Sequence, residues 1–429
     1  MKRRMTVIGF ACALATAGMT LAACGAASDD SSDDDSKGKD GKGKKGKKGK
    51  DDADDESGGG DSKGGGIKAH DKGKEPKVSD KEKDAAEALA KKAAMPWIQD
   101  GLAMSDFGSE EGSKEPKVLA YLAYTSKDPK VVIAAIRQLE RIAWMGDEKE
   151  HVPFSADYKD LLMGLMTDSD DRIAGAAVYS AGTVLKEDED VQKLLLEICA
   201  KHGTAVVRAA ACDAASLHPK DMYKEKETFK VLYDALEDKD TFVVARTLRV
   251  LSGWTGVEGA PADAVDRVWK LADSKEDAVR GLAIGYLLTD ANGWSAKPEA
   301  VKKAKEAGVK ALKDKNAFVR AKAATGLAAF ISKDWKGMDD LLPMLEDEDN
   351  TEASIKYAPL NIEGAFDAGT DWKIYAGGKV WETVLSSLVW QAEGAKGHEF
   401  KATKKDDWPK VRDEFKAWWK DNGDALKKG

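Results

Sequence analysis

Past residue 80, Ala, Leu, Val and Ile recur at three- and four-residue spacing, with few Gly or Pro inside the runs. That period predicts amphipathic helices. One phrase returns along this stretch: a polar residue, two more residues, then an aliphatic one that is often followed by Arg. Aligned on the aliphatic residue, the copies fall at Val131, Ile173, Val207, Val243, Val279 and Val319, spaced 42, 34, 36, 36 and 40 apart. A near-constant period of this size marks stacked supersecondary units rather than two or three separate domains.

Three columns of the repeat carry physical meaning. Three residues before the anchor stand Asp128, Asp170, Thr204, Asp240, Glu276 and Asn316, mostly side chains that cap free N–H groups where a helix begins. Four residues after it come Ala135, Ala177, Ala211, Thr247, Ala283 and Ala323, and eight after it Leu139, Ala181, Ala215, Leu251, Leu287 and Leu327. Such a stripe is one buried face that lets a neighbouring helix approach closely. A second helical run precedes each cap, at 117–124, 158–166, 191–200, 229–236, 264–271 and 300–312. Each unit therefore reads as helix, turn, helix.

This pattern resembles the HEAT repeat family, whose units carry Asp in the turn and Val-Arg at the start of the second helix. The resemblance covers about 115–335. It implies an all-α fold, an α-solenoid of about six hairpins with helical caps, and an extended surface for partners rather than a reaction centre. Val132, Ala174 and Val244 stand where the family has Arg. Arg208, Arg280 and Arg320 keep it, and are expected to bond cap residues of the next unit. Ser79-Asp80 opens a capping helix that is expected to run to Ala94. Asp407-Trp408-Pro409 starts a closing one that is expected to stop at Gly423.

The N-terminus changes the picture. Lys2-Arg3-Arg4 precede a short apolar run that ends in Leu21-Ala22-Ala23-Cys24-Gly25. This resembles the signal peptide and lipobox of bacterial lipoproteins. The resemblance implies cleavage after residue 23 and palmitate-type acyl chains on Cys24, a membrane anchor without a span. Gly25-Ala26, in place of Asp, favours the outer membrane. Residues 28–79 hold 13 Lys, 14 acidic residues and 12 Gly but no aromatic. A stretch so poor in apolar surface cannot offset its ordering entropy. It reads as a disordered tether whose Lys/Gly block has a weak electrostatic affinity for anionic envelope polymers.

The expected organisation is therefore a signal peptide at 1–23, a lipid-anchored tether at 24–79 and a capping helix with linker at 80–114. Repeats follow at 115–345, then an irregular acidic loop with Trp-rich capping helices at 346–429. The net charge of −8 disfavours nucleic acid. The five His are never spaced as ligand pairs, and no catalytic motif is present. The chain thus reads as a non-enzyme without cofactor or metal, although Glu346-Asp347-Glu348-Asp349-Asn350 presents alternate oxygens in the manner of a calcium loop. Cys199 and Cys212 fall in the two helices of one unit, free or disulfide-bonded. Trp144, Trp254, Trp294 and Trp335 follow their anchors into the links between units. They either fill gaps there or form an aromatic rim for a protein or glycan. The leading expectation is an envelope scaffold for an unknown protein partner; the alternative is a glycan or anionic-polymer binding module.

Overall fold

A computed structural model describes residues 67–93, 111–145, 156–215, 226–255, 260–293, 296–356, 371–396, 399–401 and 405–428. The chain divides into two units, Met1–Ser62 and Lys63–Gly429, and all described residues belong to the second. The proposed signal peptide, Cys24 and most of the tether therefore lie outside the described residues.

Helix α1 (Asp80–Ala90) begins with a reciprocal capping box between Ser79 and Glu82. It ends at Ala90, four residues short of the expected Ala94. Six helical hairpins follow: α2 (Pro116–Thr125) with α3 (Pro129–Met145), α4 (Ala156–Met166) with α5 (Asp171–Val184), and α6 (Glu189–Lys201) with α7 (Ala205–Ala215). The series continues with α8 (Lys226–Asp234) and α9 (Thr241–Leu251), α10 (Ala264–Leu271) and α11 (Asp277–Ala291), then α12 (Pro298–Ala311) and α13 (Ala317–Ala328). The second helices pack one on the next in chain order. The repeat stripe explains why: all six anchors are buried, and Ala135, Ala177, Ala211, Thr247, Ala283 and Ala323 are each 0% exposed. Small side chains at that position let the backbones close up.

After the short α14 (Met338–Leu341) the architecture departs from the expected acidic loop. Strands β1 (Asn350–Lys356) and β2 (Asp371–Lys379) form an antiparallel hairpin. Thr351, Ala353 and Ile355 of β1 are buried, and between them stand half-buried Glu352 and exposed Ser354. The hairpin lies on α13, α11 and α9. Helix α15 (Val380–Lys396) then takes the seventh place beside α13, and α16 (Trp408–Lys428) closes the chain. α16 does not stop at Gly423. It runs through to Lys428, and the missing side chain of Gly423 leaves room for the Trp419 ring, whose Cε2 would lie 2.8 Å from a Cβ there.

The start of the body also corrects the tether boundary. Residues 67–79 are not free chain but a strap laid over the first helices of hairpins 1 and 2. The His70 amide donates to Thr167 Oγ1 at 2.9 Å, Lys72 pairs with Asp168 at 3.0 Å, and Tyr124 Oη donates to the Gly73 carbonyl at 3.3 Å. Gly164 makes the seat: a Cβ there would lie 2.6 to 2.8 Å from Lys72 atoms, backbone among them.

Candidate functional site

Every turn between the two helices of a unit is built the same way. Five residues before each anchor, a side chain accepts the N–H two residues on: Ser126 from Asp128, Asp168 from Asp170, His202 from Thr204, Asp238 from Asp240, Ser274 from Glu276 and Asp314 from Asn316. Asp128, Asp170, Asp240 and Asn316 then cap their helices in turn. Glu276 makes no such cap bond.

The three arginines bind these turns. Arg208 takes both carboxylate oxygens of Asp238 at 2.8 Å, and Arg280 both of Asp314 at 2.8 Å. Arg320 reaches Asp347 at 2.7 and 3.1 Å. Each also donates to carbonyls of its own turn, Arg208 to His202 and Gly203, Arg280 to Ser274, and Arg320 to Asp314 and Lys315. The acceptor lies two residues before the cap, not at the cap as expected. Hydrogen bonding to Asp314 raises the Arg280 pKa above the ordinary guanidinium range. The arginines are structural ties between hairpins.

The acidic run 346–349 is consumed likewise. Asp347 and Asp349 hold Arg320, Glu348 meets Lys379 at 2.7 Å and Arg412 at 3.1 Å, and Glu346 pairs with Lys416. Its oxygens fasten the hairpin and the closing helix to the last repeat. A calcium ion would have to displace these cations.

The tryptophans divide. Trp335 is 9% exposed and stacks at 5.8 Å on Trp419, with Trp418 at 6.4 Å. It plugs the end of the stack and offers no rim. Trp254 is half-buried, edge-on to Phe229 at 5.6 Å. The Trp144 side chain and Trp294 lie outside the described residues. Cys199 and Cys212 are disulfide-bonded, with Cα atoms 5.1 Å apart.

The sequence reading missed a charged row on the second helices. Six residues after the anchors stand Arg137, Tyr179, Asp213 and Arg249, with Gly285 and Thr325 in the other two units, and three after the anchors stand Arg246 and Lys322, where the other units have Ala or Leu. A polar residue in a column of Ala was the available signal. Arg137 lies over the Tyr179 ring at 4.8 Å and holds Glu140 at 2.5 Å, while Ser180 donates to Glu140 at 2.8 Å. Burial still pushes the Glu140 carboxyl above its usual range. Further along, buried Asp213 pairs with buried Arg246, and Arg249 stands 3.8 Å from the same carboxylate. Trp372 of β2 covers this group, its ring 5.1 Å from the Arg246 guanidinium and 5.7 Å from the Phe242 ring.

The fold defines the class: an all-α helical-repeat protein with one β-hairpin laid on its second-helix layer. No family model matches the chain, and no curated protein matches it. Among solved structures, the YibA protein of E. coli aligns over 79% of this chain and 98% of its own at 15% identity and a TM-score of 0.40. An engineered protein aligns over 78% and 95% at 17% identity and 0.35. No helix among the described residues is long and apolar enough to cross a membrane.

Proposed function

We propose that this chain is a bacterial lipoprotein, held to the envelope membrane through Cys24 and acting as a non-catalytic, HEAT-like scaffold for a protein partner. The observation that carries the reading is the order of segments: a basic and apolar leader closing on Leu21-Ala22-Ala23-Cys24, a low-complexity leash, then a repeat stack. Two features support it. Bidentate Arg–Asp ties stiffen the stack, as a surface for a large partner requires. The Cys199–Cys212 bond suits an oxidising compartment outside the cytosol.

The test is metabolic labelling with an alkyne palmitate in the native host, followed by cross-linking and capture from membrane extracts. Wild type should incorporate label and fractionate with membranes, and Cys24→Ala should do neither. Defined protein partners, recovered reproducibly with the wild type, support scaffolding. Co-sedimentation with purified peptidoglycan in their absence replaces scaffolding by glycan binding.

A further inference from the structure

The ties between hairpins obey a matching rule. Arg208, Arg280 and Arg320 each follow an anchor, and each finds Asp in the next turn: Asp238, Asp314 and Asp347. Where Ala174 or Val244 follows the anchor, the next turn carries His202 or Ser274 instead. Donor and acceptor are present together or absent together, because a mostly buried carboxylate without a cation is costly. One junction breaks the rule. Val132 follows the first anchor and has no charge to offer, yet the second turn carries Asp168. Its side chain is 16% exposed, the same as that of Asp314.

The strap supplies the missing cation. Lys72 Nζ donates to Asp168 Oδ2 at 3.0 Å, while Oδ1 accepts the Asp170 amide at 3.0 Å. The carboxylate thus serves turn and tie at once, as Asp238 and Asp314 do. Around this pair the fit is to a sequence and not to charge alone. Gly73 has a φ of +73°, and its amide donates to Asp71 Oδ1 at 2.8 Å. A Cβ on Gly73 would lie 2.8 Å from Asp160 Cβ. Only glycine meets both conditions. Gly164 receives the Lys72 backbone, Thr167 holds the His70 amide, and Tyr124 of hairpin 1 donates to the Gly73 carbonyl. Lys is therefore read by charge, and Gly by space and backbone conformation.

We propose that Gly164, Thr167 and Asp168 form a recognition site for an extended Lys-Gly segment, which the chain fills itself with residues 70–73. This tie differs from the arginine ties in that its cation rides on a segment outside the repeat. It can leave and return without unfolding a helix. The first joint of the stack is closed by a removable peptide. The site does not depend on the lipoprotein reading, since its residues lie in the strap and in hairpins 1 and 2.

The test uses the full-length protein and a fluorescent peptide of residues 67–78, followed by anisotropy. In wild type the linked strap, at high effective concentration, blocks the site. Lys72→Glu repels its own strap from Asp168, and should bind the peptide saturably and at least tenfold tighter than wild type does. Lys72→Arg should behave as wild type, because a guanidinium also pairs with Asp168. Adding Asp168→Asn to Lys72→Glu keeps an acceptor for the Asp170 amide but should abolish binding. A Gly73→Ala peptide should not bind either. Equal binding by wild type and Lys72→Glu, no binding by either, or binding that survives Asp168→Asn or the Gly73→Ala change overturns the proposal.

Discussion

Arg280 holds both carboxylate oxygens of Asp314 across the junction between the fifth and sixth hairpins. Asp314 in turn accepts the Asn316 amide that shapes the next turn. One carboxylate therefore fixes both the neighbour's position and the local bend. Arg280→Met should cost about 2 kcal/mol, the range for hydrogen bonds to a charged, mostly buried group. A double-mutant cycle with Asp314→Asn in urea melts should return most of that as coupling energy. The exposed Lys193–Glu189 pair, cut in the same way, should move stability by no more than about 0.5 kcal/mol.

Trp335 fills the stack's end against Trp418 and Trp419. Trp335→Ala should cost about 3–5 kcal/mol by opening a cavity. Trp390 is 60% exposed on α15, and Trp390→Ala should stay within about 0.5 kcal/mol. If the two variants melt alike, Trp335 does not seal the core.

His202 is the one imidazole in a column of Asp and Ser, and its Nδ1 accepts the Thr204 amide at 3.1 Å. Burial lowers its pKa despite nearby Asp171. The unfolded chain thus binds the proton more readily, so this residue's contribution is present above pH about 6.5 and is lost as pH falls through the depressed folded value. His202→Asn keeps a turn-forming acceptor without a titrating ring. It should flatten the stability profile between pH 7 and 5, measured by chemical denaturation. An unchanged slope would remove His202 from the account.

Gly164 faces the strap. Gly164→Ala should favour α4 locally by about 1 kcal/mol, yet it places a methyl group against the backbone of Lys72. Trypsin should then cut faster after Lys68, Lys72 and Lys74, while the melting temperature barely moves. Equal cleavage in both proteins would mean that the strap is not seated there.

The disulfide closes a loop of 13 residues in sequence separation. Cys199→Ala with Cys212→Ala should cost about 3 kcal/mol, the scale for loops of this length. Wild type with intact thiols under non-reducing alkylation would contradict the bond.

The repeat was legible because its determinants are local. Anchors, caps and the small-residue stripe each recur at a fixed offset, so Val279 and Ala283 identify themselves by comparison with Val319 and Ala323. The β-hairpin was not legible, although Thr351, Ala353 and Ile355 alternate with Glu352 and Ser354 as a half-buried strand should. The surrounding acidic residues masked the alternation, and its stabilising surface is supplied by α9, α11 and α13, far away in sequence. The ties had the same difficulty. Arg208 was recognisable as structural, but its acceptor depended on a turn hydrogen bond that no periodicity reveals. The strap went unread because Ile67 to Val78 shares the composition of the tether and docks largely through backbone atoms, with Lys72 supplying its ion pair to the body.

That docking moves the pivot. With residues 67–79 fastened to hairpins 1 and 2, 42 residues lie between Cys24, the proposed attachment point, and Ile67. Fully paid out these reach about 150 Å, against about 190 Å if the strap were loose. The line leaves from the flank of the stack, beside Thr167, rather than from its first helix. Under the proposed attachment at Cys24, a load on the body would therefore act about hairpin 2, like a boat moored off its bow, and releasing the strap would both lengthen the mooring and move its pivot.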